Sequence, residues 1–96
     1  MRRAARIDAN HQEVVKLLRA VGCSVQSLAS LGSGTPDLLV GHRGRNFLLE
    51  CKDGAKKPSA RRLTPDEKTW HARWAGQIDT VESPQEALKV VMGGAL

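Results

Sequence analysis

The sequence predicts an α/β fold in which helices flank a mixed β-sheet, and three observations support this. Apolar residues recur with helical spacing near both ends of the chain, whereas the apolar runs between them have the length of strands. Clusters of Gly, Pro and Ser separate these segments. The predicted order is α-β-β-β-α-β-α without internal repeats, and a chain of 96 residues has room for a single domain over residues 1–96.

The first helix is predicted over residues 10–21. Its apolar positions recur at the i, i+3, i+4, i+7 spacing of a helix that buries one face. They are Val14, Leu17, Leu18 and Val21. Asn10 and Glu13 have the spacing of a capping box, and Gly22 supplies the stop signal.

Three strands are predicted to follow this helix. Residues 25–28 are a short segment with an ambiguous strand pattern, and the apolar runs 36–41 and 46–52 flank a turn sequence typical of a β-hairpin. A hairpin tip of two or of four residues gives the same pairing, in which Asp37 faces Glu50. The Cβ atoms of directly opposed residues lie only about 4.5–5.5 Å apart, so this pairing holds two carboxylates side by side.

Two later helices begin with matching start signals. Thr64-Pro65-Asp66-Glu67 combines an N-cap, a proline at the first helical position and a reciprocal glutamate, and Ser83-Pro84-Gln85-Glu86 repeats the pattern. Residues 78–81 form the strand between them. Trp70 and Trp74 stand one helical turn apart, which favours a place in the core, with stacking on nucleic-acid bases as the alternative.

Positive charge is concentrated between residues 42 and 62. The chain carries 15 Lys and Arg against 10 Asp and Glu, a net charge of +5, and this segment alone holds seven basic and two acidic residues. Such a surplus favours a polyanionic partner, while a solvated loop is the alternative. We predict an exposed basic loop over residues 53–63 and a basic N-terminal arm over residues 1–9.

The remaining composition argues against a membrane or disulfide-stabilised protein. No segment approaches the roughly 18 consecutive apolar residues of a membrane span, so we expect no membrane partner. We expect a cytoplasmic location, which for a phage-encoded protein would be the cytoplasm of the host cell. Cys23 and Cys51 are predicted to be buried apolar side chains. His11, His42 and His71 lack the spacing of a zinc site or a catalytic dyad, and we predict them at the surface or in contact with phosphate.

Strand alternation places three charged side chains on one face of the hairpin. Glu50 and Lys52 project together, and Asp37 lies opposite Glu50. The other face is apolar, with Phe47, Leu49 and Cys51. A divalent cation with oxygen ligands would convert the repulsion between two adjacent carboxylates into a binding site. Taken alone, the Glu-x-Lys pair is also an ordinary solvated strand face.

Four motifs occur in order along the chain. They are Gly34-Thr35-Pro36-Asp37, Leu48-Leu49-Glu50-Cys51-Lys52, Leu63-Thr64-Pro65 and Trp70. Their order and spacing over about residues 10–90 resemble the small stand-alone VRR-NUC domains of the PD-(D/E)XK nuclease superfamily. The resemblance implies a PD-(D/E)XK nuclease-like mixed β-sheet flanked by helices and a metal-dependent endonuclease that uses Mg²⁺ or Mn²⁺.

The resemblance also implies roles for individual residues. Asp37 and Glu50 match the metal-binding carboxylates, and the backbone carbonyl of Cys51 matches a further metal ligand. Lys52 matches the residue that positions or activates the attacking water, and the sequence leaves open whether it acts as a base or as a stabilising cation. These three side chains and one carbonyl are the expected catalytic centre.

Two acidic residues have competing explanations. Glu13 resembles the acidic residue that the superfamily often places on its first helix, where it would add a metal ligand, but capping together with Asn10 explains it equally well. Many relatives carry glutamine near the start of the second helix, where this chain has Glu67. The capping box with Thr64 accounts for Glu67 without a role in catalysis.

The expected substrate is DNA, with branched forms such as a four-way junction or a flap implied by the resemblance. The residues expected to contact its backbone are Arg43, Arg45, Lys56, Lys57, Arg61 and Arg62. A noncatalytic nucleic-acid-binding module on the same fold is the alternative. We also expect a homodimer, with the apolar stripe of the last helix, together with Trp70 or Trp74, as the candidate interface.

Overall fold

The computed structural model describes residues 9–93, and Ala9 only in its backbone. The helices are α1 (Ala9–Ala20), α2 (Pro65–Arg73) and α3 (Pro84–Val91), and the strands are β1 (Ser24–Ser27), β2 (Leu38–His42), β3 (Arg45–Cys51) and β4 (Asp79–Val81). Short 3₁₀ turns occur at Ala29–Leu31 and Pro58–Ala60. The predicted order of elements is confirmed. The predicted basic arm, up to residue 8, lies outside the described residues, and no described helix has the length and hydropathy to cross a membrane.

The sheet is mixed, as predicted. Its strand order is β1-β2-β3-β4, with antiparallel pairing among the first three strands and parallel pairing between β3 and β4. The hairpin of β2 and β3 turns through Arg43 and Gly44, which both have positive φ, at 51° and 79°. Its ladder begins with Leu38 opposite Leu49, so the predicted pairing is confirmed and Asp37 precedes the ladder next to Glu50.

The hydrophobic core lies between the sheet and the pair of helices α1 and α3. Buried residues at alternate positions of β2 and β3 meet buried residues of both helices. With Cys23 before β1 and Val81 on β4, the core consists of Val14, Leu18, Cys23, Leu38, Val40, Phe47, Leu49, Val81, Ala87 and Val91. The apolar stripe of α3 is therefore used within the monomer, and its expected place in a dimer interface is wrong because α1 already covers it.

Helix α2 differs from the other helices because it has no buried residue. The predicted capping box is present, with Thr64 Oγ1 accepting from the N–H of Glu67 and Glu67 Oε1 accepting from the N–H of Thr64. Trp70 and Trp74 stack on each other with ring centroids 4.6 Å apart, and Trp74 is 45% exposed. The expectation that both tryptophans belong to the core is wrong, because α2 packs outside it.

A glycine sets the distance between α2 and the loop that precedes β2. Gly34 has φ +82°, and a Cβ atom at this position would lie 2.3 Å from the carbonyl oxygen of Asp66. Only glycine allows two backbone segments to approach this closely at a positive φ. The Gly-x-Pro-Asp sequence thus fixes the start of α2 beside the segment that carries Asp37.

Candidate active site

The hairpin brings Asp37 and Glu50 together at the end of the β2–β3 ladder. Asp37 Oδ2 accepts a 2.7 Å hydrogen bond from the backbone N–H of Cys51, which fixes the carboxylate beside β3. The carboxyl groups of Asp37 and Glu50 also interact with each other. The two residues that were expected to bind metal are therefore adjacent, as the hairpin pairing requires.

Glu50 is the most deeply buried acidic residue of the site. Its side chain is only 2% exposed, and its Oε1 has no hydrogen-bond partner among residues 9–93. Burial, the neighbouring Asp37 and the charge of Glu67 raise the pKa of Glu50 to about 9, against the opposing effect of Lys52. The positive charge of Lys52 therefore does not offset burial and the two neighbouring carboxylates. The alternative of a solvated strand face is therefore wrong, because α2 covers Glu50 and Lys52.

Lys52 and Glu67 form an ion pair across this cleft. Lys52 Nζ lies 2.7 Å from Glu67 Oε1 and 4.0 Å from Glu50 Oε2. Burial opposes ionisation of Glu67, but its hydrogen bonds from Lys52 and from the backbone of Thr64 outweigh burial and lower its pKa. The capping box is thus only part of the explanation for Glu67, because the same oxygen holds the expected catalytic lysine.

The charges of this group suit a divalent cation. Asp37, Glu50 and Glu67, which we call the carboxylate cluster, face the ammonium group of Lys52. The unpartnered Oε1 of Glu50 is a free oxygen donor in a buried place. Oxygen ligands with surplus negative charge are the donors that Mg²⁺ and Mn²⁺ prefer. The residues present therefore fit the divalent metal that the VRR-NUC resemblance of the sequence implies.

Helix α1 reaches this site through residues other than Glu13. Asn10 lies inside the helix and its amide donates a 2.7 Å hydrogen bond to the carbonyl of Lys52, so the predicted capping box with Glu13 is wrong. Glu13 is exposed, whereas His11, two positions earlier, is only 7% exposed. The ligand atoms of His11, Asp37 and Cys51 lie within 4.8 Å of one another.

None of the three histidines is fully exposed, so the surface alternative is wrong and contact with phosphate stays a prediction. His71 projects from α2 toward Glu50, with Nε2 3.7 Å from Oε1, and this nitrogen has no hydrogen-bond partner in the described part of the chain. His42 is half-buried, with Nδ1 3.6 Å from the Sγ of Cys23. Spacing along the sequence missed these residues because each approaches its partner only after the hairpin and helices pack together.

Cys51 also differs from its prediction. Cys23 is buried as expected, but Cys51 is only half-buried and its side chain lies beside His11 and Asp37. Its position at the end of β3 explains this, because the ladder and its covering core residues stop there. The alternation of strand faces predicted the direction of the side chain correctly but not the polar groups around it.

The expected DNA-contacting residues divide into free and engaged groups. Arg43, Lys56, Lys57 and Arg62 are exposed. Arg45 lies over the ring of Phe47 at 5.2 Å from the centroid, and half-buried Arg61 pairs with Glu82 at 3.0 Å. The loop carrying most of these residues is anchored by Gly54, whose N–H donates to the carbonyl of Glu82. Arg61 is thus partly committed to holding the loop in place.

Comparison with protein-family models and with curated proteins finds no match for this chain. A solved structure titled "VRR_NUC domain" is similar to it, with a TM-score of 0.61 and 28% sequence identity. The similarity covers 85% of this chain and 89% of that chain. The small α/β architecture described above therefore matches a VRR-NUC nuclease fold, and the resemblance carried by the four motifs is confirmed.

Proposed function

From the VRR-NUC fold of this chain, we propose a divalent-metal-dependent endonuclease that hydrolyses DNA phosphodiester bonds. The observation that carries the proposal is the carboxylate cluster, in which a buried Glu50 oxygen without a hydrogen-bond partner among residues 9–93 lies beside Asp37, with Lys52 and the His71 imidazole as the nearby basic groups. A fold built for structure alone gains nothing from such a group, because uncompensated buried carboxyl groups cost stability. A bound divalent cation would compensate the negative charge of these carboxyl groups.

Asp37 and Glu50 would hold Mg²⁺ or Mn²⁺, together with the backbone carbonyl of Cys51. The N–H of Cys51 already points to Asp37, and the N–H and C=O of one residue in an antiparallel strand face the same neighbour. When bound, the cation would supply Lewis acidity and lower the pKa of a water molecule at the phosphate. Glu13, which is exposed, is not included among the ligands.

Lys52 would act on the scissile phosphate from its place between Glu50 and Glu67. Its ammonium group donates to Glu67, which fixes the direction of the side chain before substrate binds. From there Nζ can donate to a phosphate oxygen and offset negative charge in the transition state. We therefore favour a stabilising role for Lys52 over that of a general base.

The exposed basic residues would hold the DNA backbone. Arg43 lies at the hairpin tip, and Lys56, Lys57 and Arg62 lie on the loop after β3. Phosphate contacts of this kind give affinity without base specificity. We propose branched DNA, a four-way junction or a flap, as the substrate on the strength of the VRR-NUC resemblance.

A homodimer would present two such centres to strands of opposite polarity. Because α1 covers α3, we propose the exposed apolar surface around Trp74 as the interface of the homodimer. Trp74 and Leu39 are 45% and 37% exposed, and they line one shallow groove together with Leu48. Light scattering across the micromolar range tests this proposal, and a monomer that still makes paired cuts in a junction would contradict it.

The test of the nuclease is a cleavage assay on supercoiled plasmid, linear duplex, single strand and four-way junction, each with Mg²⁺, Mn²⁺ or chelator. We expect Asp37→Ala, Glu50→Ala and Lys52→Ala to abolish cleavage while DNA affinity persists, because binding depends on the separate basic residues. Glu13→Ala is the matched control and should cleave normally. Normal turnover by Glu50→Ala would refute the proposal, and DNA binding without any cleavage would support the noncatalytic module.

A further inference from the structure

A second set of metal-ligating side chains lies next to the carboxylate cluster. His11 from α1, Asp37 from the segment before β2 and Cys51 from the end of β3 bring a nitrogen, an oxygen and a sulfur within 4.8 Å of one another. We propose that these three side chains form a binding site for a thiophilic divalent cation such as Zn²⁺ or Co²⁺. We call it the thiolate site.

The chemistry of the three donors distinguishes this site from the one formed by Asp37 and Glu50. Imidazole and thiolate suit Zn²⁺ and Co²⁺, whereas Mg²⁺ takes oxygen ligands. A thiolate and a carboxylate together balance the charge of a divalent ion, and a fourth position remains for water, as in three-ligand zinc centres. Around a tetrahedral Zn²⁺ the donor atoms lie about 3.5 Å apart. Small side-chain rotations would close the present separations to that value.

The site is both enclosed and accessible. His11 is buried at 7% exposure, and Cys51 packs against the edge of the core. His11 also lines an open groove between α1 and β1 that includes Val25 and Leu38. This groove gives an ion a route from solvent to the imidazole.

Asp37 belongs to both sites, which makes them competitors. Its carboxylate interacts with Glu50 on one side and lies beside Cys51 and His11 on the other. A cation in the thiolate site would draw this carboxylate away from Glu50 and prevent Mg²⁺ from binding. The consequence for cleavage rests on the proposed nuclease function, whereas binding at the thiolate site does not.

Titration of the metal-free chain with Co²⁺ tests the site through the thiolate-to-cobalt charge-transfer absorption. We expect the band in the wild type, its loss in Cys51→Ser, and an affinity lower by about tenfold or more in His11→Ala. Cys23→Ser is the matched control, because the Cys23 Sγ also lies near a histidine, at 3.6 Å from His42 Nδ1. A band that survives in Cys51→Ser or disappears in Cys23→Ser would overturn the proposal.

Alkylation of the wild type provides a measurement that does not depend on the folding of a variant. Zn²⁺ should slow the reaction of Cys51 with a thiol reagent, as located by mass spectrometry, and leave Cys23 unchanged. Equal rates at Cys51 with and without Zn²⁺ would count against the site.

Competition tests the sharing of Asp37. Excess Mg²⁺ should raise the apparent dissociation constant for Co²⁺ in the wild type but not in Glu50→Ala, which keeps all three ligands of the thiolate site. An unchanged constant in the wild type would refute the sharing. If the protein fails to cleave DNA with Mg²⁺ but shows the Cys51-dependent band, the nuclease proposal fails and the thiolate site stands.

Discussion

Replacing Glu50 by glutamine should change how the stability of the metal-free protein depends on pH. The raised pKa of about 9 means that the folded protein holds a proton at Glu50 that the unfolded chain, with an ordinary value of 4.5, has released. Between these two pH values the native state therefore binds more protons, and stability falls as pH rises. One extra proton corresponds to a change of at most about tenfold in the folding equilibrium constant per pH unit.

Urea denaturation in the presence of chelator, repeated at several pH values between 4.5 and 9, measures this dependence. The wild type should lose stability across the range, and Glu50→Gln should be flatter because it has no proton to release at this position. Glu13→Gln, on the exposed side of α1, is the matched control and should follow the wild type.

Saturating Mg²⁺ or Mn²⁺ should stabilise the wild type most at the alkaline end, where Glu50 must ionise to bind the cation. It should have little effect on Glu50→Gln. If the variant shows the same fall in stability with pH as the wild type, Glu50 does not hold the proton.

Three further predictions concern the loops around the site. Gly34→Ala should lose about 1–3 kcal/mol more stability than Gly44→Ala in thermal unfolding, since both have positive φ but only Gly34 would clash with α2; equal losses would contradict this. Neutralising Lys56 and Lys57 should weaken binding to all DNA sequences alike and reduce the salt slope by up to about one unit for each contact, and an unchanged slope would mean a merely solvated loop. Arg61→Ala should change that slope less, because its guanidinium pairs with an acidic side chain; a loss equal to that of a loop lysine would show that it contacts phosphate.

The sequence predicted the fold well because its signals are local. Helical spacing, the start signals of α2 and α3, and a short hairpin turn each depend on neighbouring residues. The hairpin pairing followed from the turn, and it brought Asp37 beside Glu50. These features needed no knowledge of how distant segments pack.

The errors concern contacts between distant segments. Asn10 and Glu13 have the spacing of a capping box, but α1 already includes Asn10, whose amide instead binds the carbonyl of Lys52. Glu67 fits its cap and still has an oxygen within reach of Lys52, which no local pattern indicates. The burial and contacts of Cys51 and the histidines were predicted wrongly for the same reason, since their surroundings are set by the packing of α1 and α2 against the hairpin.

The close approach at Gly34 affects how the two acidic parts of the site stay aligned. Asp37 and Glu67 belong to segments far apart in sequence, yet backbone meets backbone where the loop before β2 touches the start of α2. Because α2 buries no side chain, changes of side-chain volume in the core have little leverage on this alignment. The alignment of Asp37 with Glu67 thus depends on a contact between backbones, so a side chain added at Gly34 would disturb it more directly than a change of volume in the core.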